Sequence, residues 1–129
     1  MRGRGGSVVA LTTDAGRTPT PGESMNGAAG AALIFAVRAL ARELARENIR
    51  LNCLALTLTR DTPTYRNFVN DKAEQREFIT RVFQKIEARA PFGLPEPDDV
   101  ARAAVFLASG QSAKITGAVI SINGGMSFP

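Results

Sequence analysis

The chain contains no histidine and a single cysteine, Cys53. Zinc sites draw on clusters of those two side chains, so their scarcity argues against one. Cys53 also has no second cysteine to pair with, which excludes an intrachain disulfide. Aromatic residues make up only 6% of the sequence and do not alternate with the basic ones. No reading helix or stacking strand stands out either, and the sequence points to no nucleic-acid partner. Long apolar runs are missing too. The N-terminus MRGRGGSVVALTT is basic, but its apolar core reaches only from Val8 to Leu11, and nothing approaches the roughly 18 consecutive apolar residues of a membrane span. The expectation is a soluble, cytoplasmic protein without a membrane partner. A formal charge of +4 is spread along prospective helices rather than gathered in one run, as on a solvated basic surface.

What is present is a core. With 129 residues and 44% hydrophobic content the chain fits a single domain, residues 1–129, with a modest interior. Three short aliphatic segments, SVVAL (7–11), IRLNCLAL (49–56) and AVISI (118–122), are continuous apolar runs rather than alternating ones. That pattern suits strands of a parallel sheet covered on both faces. Helical patterns long enough to be crossovers lie between them, which gives the order β-α-β-α-α-β.

In the first helical pattern, residues 27–47, Leu33, Val37, Leu40 and Leu44 recur at helical spacing and predict the buried stripe, while Arg38, Arg42, Glu43, Arg46 and Glu47 supply a wet side. Its opening GAAGAA sets six small residues in a row, a surface that lets another backbone approach closely. A second helix is expected over 73–90, with Phe78, Val82, Phe83 and Ile86 on one face. The polar, proline-containing TRDTPTYRNFVND before it reads as a mobile excursion. A third helix starts at Pro97, with Asp98 and Asp99 at its positive end and Val100, Ala104, Leu107 and Ala108 as its apolar stripe, and stops near Ser109-Gly110.

The succession GSVVALTTDAG, then AAGAALIFAVRALARELARENIRLN, then APFGLPEPDDVARAAVFLASGQSAKITGAVISINGG resembles the C-terminal half of a short-chain dehydrogenase/reductase, nearest to the ketoacyl-carrier-protein reductase branch. The resemblance implies an α/β fold, a partial Rossmann-like doubly wound parallel sheet comprising the last three strands of that fold and their helices. It is weakest over residues 60–89. The family's phosphate-binding glycine turn belongs to its first strand, before any residue present here. RGRGGS does not replace it, because it leads into a strand instead of joining a strand to a helix. The chain alone is therefore expected to hold no cofactor, and NAD(P) only with an upstream half.

The resemblance places the family's catalytic serine at Thr13, its tyrosine at Asn26 and its lysine at Gly30. A hydroxyl survives at the first position. At the others an amide has no usable acidity near neutral pH, and a glycine has no side chain to hold a ribose or tune a neighbour's proton affinity. Tyr65, the only tyrosine, is followed four residues later by Val69, so no Tyr-x-x-x-Lys pair exists. The family's Pro-Gly after the following strand is Leu56-Thr57 here; Thr59 and Thr62 are hydroxyls in the loop beyond it, expected to be solvated. Positions that serve packing and turns, such as Asn52 and the glycines of ITG and NGG, are retained, whereas those that would serve chemistry depart.

Two functions follow. One is a non-catalytic structural subunit, in a homo- or hetero-oligomer with a short-chain dehydrogenase-like chain, its apolar tail GGMSFP being one contact. The other is a fragment of an NAD(P)-dependent oxidoreductase whose cofactor-binding half lies upstream. Catalysis would then need another acid, such as Asp14 or Glu23, each more simply a solvated turn residue. The strand over 7–11 is expected to leave an open apolar sheet edge.

Overall fold

A computed structural model describes residues 1, 3–69, 81 and 84–129. Three strands, β1 (Gly6–Thr13), β2 (Ile49–Leu56) and β3 (Val119–Ile122), form one parallel sheet in the order β1-β2-β3. Register runs from Gly6 beside Ile49 to Thr13 beside Leu56, and Cys53 to Leu56 continue onto Val119 to Ile122.

Helix α1 (Ser24–Leu44) crosses from β1 to β2, and helix α3 (Pro97–Ala108) precedes β3. They cover opposite faces. Val8, Ala10, Leu51, Cys53 and Val119 project toward Val37 and Ala41 of α1. From the other face Ser7 Oγ and Arg50 Nη1 donate to the Leu107 carbonyl of α3, at 2.8 and 2.9 Å. The doubly wound arrangement is thus present on three strands. β2 lies in the middle and is buried nearly throughout, with Cys53, Leu54 and Ala55 at 0% exposure. β1 is only half-buried, because its outer edge has no strand beside it among the described residues; Leu11 is 53% exposed there.

The sequence-predicted stripe on α1 is corrected. The side facing the sheet carries Gly27, Gly30, Ile34, Val37 and Ala41, whereas Leu33 and Leu40 are exposed. The glycines shift the seam. A Cβ on Gly27 would lie 2.8 Å from the Ala15 carbonyl oxygen, and one on Gly16 would lie 2.6 Å from the Gly30 carbonyl carbon. The small residues therefore admit the backbone of the short 3-10 turn Asp14–Gly16, and the helix rotates to meet it. A second apolar side with Met25, Leu33 and Leu40 is left facing outward. The helix also starts three residues earlier than its periodicity suggests. Its last turn tightens to a 3-10 helix, Ala45–Glu47, and stops at Asn48 in the left-handed region with φ 56°.

The segment read as a mobile excursion contains helix α2 (Pro63–Val69). Pro63 pre-sets the first turn, and Thr62 Oγ1 accepts from the Tyr65 N–H at 3.2 Å. The helix expected over 73–90 falls largely outside the described residues; residues 84–88 are helical. Helix α3 opens as expected on Pro97, with a reciprocal box between Glu96 and Asp99, but only Leu107 of its predicted stripe is fully buried and Ala108 is exposed. Asn52, at 0% exposure, fixes the approach to β3. Its Nδ2 donates to the Ile115 carbonyl at 2.9 Å and its Oδ1 accepts from the Ala118 N–H at 3.0 Å. Residues 3–5 form a strand-leading turn, with Gly3 and Gly5 at φ 76° and 73°.

Candidate functional site

Parallel strands end together, and their connections diverge on both sides of the sheet, which leaves a crevice beyond the carboxyl ends. Here β1 and β2 end at Thr13 and Leu56, and a cleft of about 610 Å³ opens there. Its floor and walls include Thr12, Thr13, Asn26, Gly30, Leu56 and Thr57, with Met126 and Ser127 closing it from the C-terminal segment. The fold thus brings all three positions singled out by the resemblance to one cleft, together with the Leu56-Thr57 pair.

Thr13 ends β1 and caps the 3-10 turn, its Oγ1 accepting from the Ala15 N–H at 3.2 Å. Thr12, one residue earlier and on the other face of the strand, donates its hydroxyl to the Gly30 carbonyl at 3.4 Å. Asn26 lies in the first turn of α1, where its Nδ2 donates to Glu23 Oε2 at 2.9 Å; both residues are exposed. Gly30 is buried one turn deeper, where its missing Cβ would meet the Thr13 Cγ2 methyl. Thr57 Oγ1 donates to the Met126 sulfur at 3.2 Å. Thr59 and Thr62 do not line the cleft: Thr59 is buried with its hydroxyl on the Thr57 carbonyl, and Thr62 caps α2.

Asp14 corrects the reading of a solvated turn. Its carboxylate is 7% exposed, and Oδ1 pairs with Arg17 Nη2 at 3.1 Å. Oδ2 accepts from Asn123 Nδ2 at 2.8 Å and from the Ser127 hydroxyl. Arg17 in turn donates to the Ser121 hydroxyl and to the Val119 carbonyl. With both oxygens engaged, Asp14 ties the end of β1 to β3 and the C-terminal segment and has no free oxygen to present to the cleft. The signal was present in the sequence: Asp14 directly follows a strand end, where side chains meet the crevice, and Asn123 opens the turn before Gly124-Gly125. Glu23 is the carboxylate that remains at the cleft mouth, already paired to Asn26.

Burial pushes the Cys53 thiol above its ordinary value, and the Arg17 cation acts in the opposite sense. No cluster of His, Cys, Asp or Glu among the described residues could hold a metal ion. The helix opening into this cleft is α1, and its N-cap position is Glu23. A carboxylate at that point repels the phosphates that a helix N-terminus otherwise attracts. The glycines before β1 lead into a strand and not a helix. Neither feature forms a pyrophosphate cradle.

A family profile for enoyl-(acyl carrier protein) reductase matches residues 1–127. The 3-oxoacyl-[acyl-carrier-protein] reductase FabG of Rickettsia bellii is 37% identical over 126 residues, 98% of this chain and 48% of its own length. The chain thus spans about half the length of the curated relatives it matches. Among solved structures, a Bacillus cereus enoyl-acyl carrier protein reductase with NADP+ superposes with a TM-score of 0.77 at 29% identity, over 94% of this chain and 44% of that one. An NADPH-bound short-chain oxidoreductase from Pseudomonas aeruginosa with an atypical catalytic center gives 0.76 at 31% identity, over 95% and 46%. The profile and the Rickettsia relative name different reductions, so what they share with this chain is the family. Fold, sequence and cleft agree: the chain belongs to the short-chain dehydrogenase/reductase family and corresponds to the C-terminal half of its members.

Proposed function

We propose that this chain is a short-chain dehydrogenase/reductase scaffold without a proton relay, acting in the cytoplasm as a non-catalytic structural subunit beside a chain of the same family. One observation carries this reading. The positions that the family resemblance assigns to the tyrosine and lysine hold Asn26, tied to Glu23, and Gly30, packed against Thr13. Reduction of a carbonyl by hydride needs a proton delivered to the developing alkoxide. Asn26 carries no such proton, the Thr13 hydroxyl is far too weak an acid to lose one, both oxygens of Asp14 are engaged by Arg17, Asn123 and Ser127, and Glu23 is held by Asn26.

The outward apolar side of α1 supports the structural half of the reading. Met25 is 84% exposed and Leu40 43%, on a helix whose other side packs the sheet. Light scattering tests it: the purified chain is expected to run as a dimer or larger assembly, and Leu40→Glu to shift it toward monomer without loss of helical circular dichroism. A monomer that melts cooperatively at all concentrations would overturn the structural role.

A second reading has its own support in the relatives, which are about twice as long as this chain. Here the chain is one half of an NAD(P)-dependent oxidoreductase whose other half supplies the cofactor site. A fluorescence titration with NADH and NADPH, run on this chain and on one extended upstream by a cofactor-binding half, separates the two. Low-micromolar binding favours the oxidoreductase, and no binding favours the scaffold.

A further inference from the structure

Gly30 is closed by its neighbours rather than merely empty. A Cβ built there would lie 2.7 Å from Thr13 Cγ2, against 3.2 Å from both Gly16 Cα and Thr12 Oγ1. The first distance is one that real Cβ atoms essentially never show, while the other two are tight contacts that ask the neighbour to give by a few tenths of an ångström. The severest obstruction is thus one methyl group, and it belongs to the residue that ends β1 at the cleft floor. Thr13 cannot swing that methyl away freely, because its Oγ1 is held by the Ala15 N–H as the cap of the 3-10 turn. Thr12 fastens the same point by donating to the Gly30 carbonyl.

We propose that Thr13 and Gly30 form a steric pair, in which the Thr13 methyl fills the space that any side chain at position 30 requires. A side chain can then return to position 30 only if residue 13 loses its methyl. Installing a lysine there, to rebuild the relay that the proposed non-catalytic reading says is missing, would demand Thr13→Ser as well as Gly30→Lys and Asn26→Tyr. The inference deepens that reading but is read out by stability alone, so the two can fail separately.

The sign of one substitution carries the test. Gly30 lies inside α1, where alanine is intrinsically preferred to glycine. Gly30→Ala would therefore raise the melting temperature if nothing stood in the way. In the wild-type background it is expected to lower it by roughly 5–15 °C through overpacking. In a Thr13→Ser background the same substitution is expected to leave it unchanged or raise it. Thr13→Val/Gly30→Ala, which keeps a methyl at residue 13 but loses the capping hydroxyl, is expected to be at least as destabilised as Gly30→Ala. Equal effects of Gly30→Ala in the threonine and serine backgrounds would overturn the pair. So would a Thr13→Ser/Gly30→Ala chain that fails to fold while Thr13→Ser alone folds.

Discussion

Arg50 leaves the middle strand and ends among the carbonyls that finish helix α3. Its Nη1 donates to Leu107 O at 2.9 Å, Ser112 Oγ at 2.9 Å and Ile115 O at 3.3 Å, and its Nη2 donates to Ser109 O at 3.0 Å. A charge-assisted hydrogen bond contributes about 1.5–3 kcal/mol net, and a cation at a helix C-terminus about 0.3–1 kcal/mol more. These do not simply add, because every carbonyl has a second donor. Leu107 O keeps the Ser7 hydroxyl at 2.8 Å, Ile115 O keeps Asn52 Nδ2 at 2.9 Å, and Ser109 O keeps the Ser112 hydroxyl at 3.1 Å. Arg50→Ala leaves no carbonyl bare and takes the donor only from the Ser112 hydroxyl oxygen, so the expected loss is about 2–3 kcal/mol, or roughly 6–15 °C in melting temperature for a domain of this size. Arg50→Lys replaces a planar fork by a point charge and should recover no more than about half of that loss. Urea unfolding followed by far-UV circular dichroism measures both variants. A loss below about 0.5 kcal/mol for Arg50→Ala, or full recovery by lysine, would refute the view that the guanidinium fork clasps α3 to the sheet.

Three further outcomes follow from other parts of the molecule. Cys53, at 0% exposure and with its thiol pushed up by burial, should resist a thiol-specific disulfide reagent in the folded chain and react on unfolding; fast labelling under native conditions would contradict its burial. The carboxyl of Asp99 is held below its ordinary range, first by the Glu96 N–H and then by Arg102. A depressed folded-state value stabilises above the unfolded one and loses that contribution as pH falls through the folded value. The stability gap between the wild type and Asp99→Ala should therefore be present near neutrality and narrow in acid, and a pH-independent gap would count against the capping box. Gly124 sits at φ 62°, where an added Cβ would strike the Gly93 carbonyl oxygen. Gly124→Ala should leave little soluble folded protein, and a melting temperature within about 3 °C of the wild type would contradict that packing.

The strands were legible because a parallel strand covered on both faces leaves an uninterrupted apolar run, as IRLNCLAL does. Helix α3 was legible from Pro97 and the acidic pair behind it, local signals that depend on no distant partner. The buried side of α1 was not. Periodicity counts the large apolar residues and so selected Leu33 and Leu40, whereas the packing was decided by Gly16, Gly27 and Gly30, whose contribution is the absence of a side chain. Asp14 was misread for a related reason. Its partners Arg17, Asn123 and Ser127 converge only when β3 is laid beside β2, more than a hundred residues along the chain for two of them. The cleft itself was half legible: the resemblance picked Thr13, Asn26 and Gly30 and the fold gathers them, but nothing in the letters showed that the Thr13 methyl occupies the space beside Gly30.

The central claim is that this cleft cannot complete a hydride-transfer cycle. The most direct test is a prolonged incubation of the chain, alone and extended upstream by a cofactor-binding half, with NADPH deuterated at the transferable position and a 3-oxoacyl thioester, the product being analysed for deuterium by mass spectrometry. The account predicts no incorporation above a protein-free control. Deuterated 3-hydroxyacyl product that is formed by the wild type and lost in Thr13→Ala would contradict it.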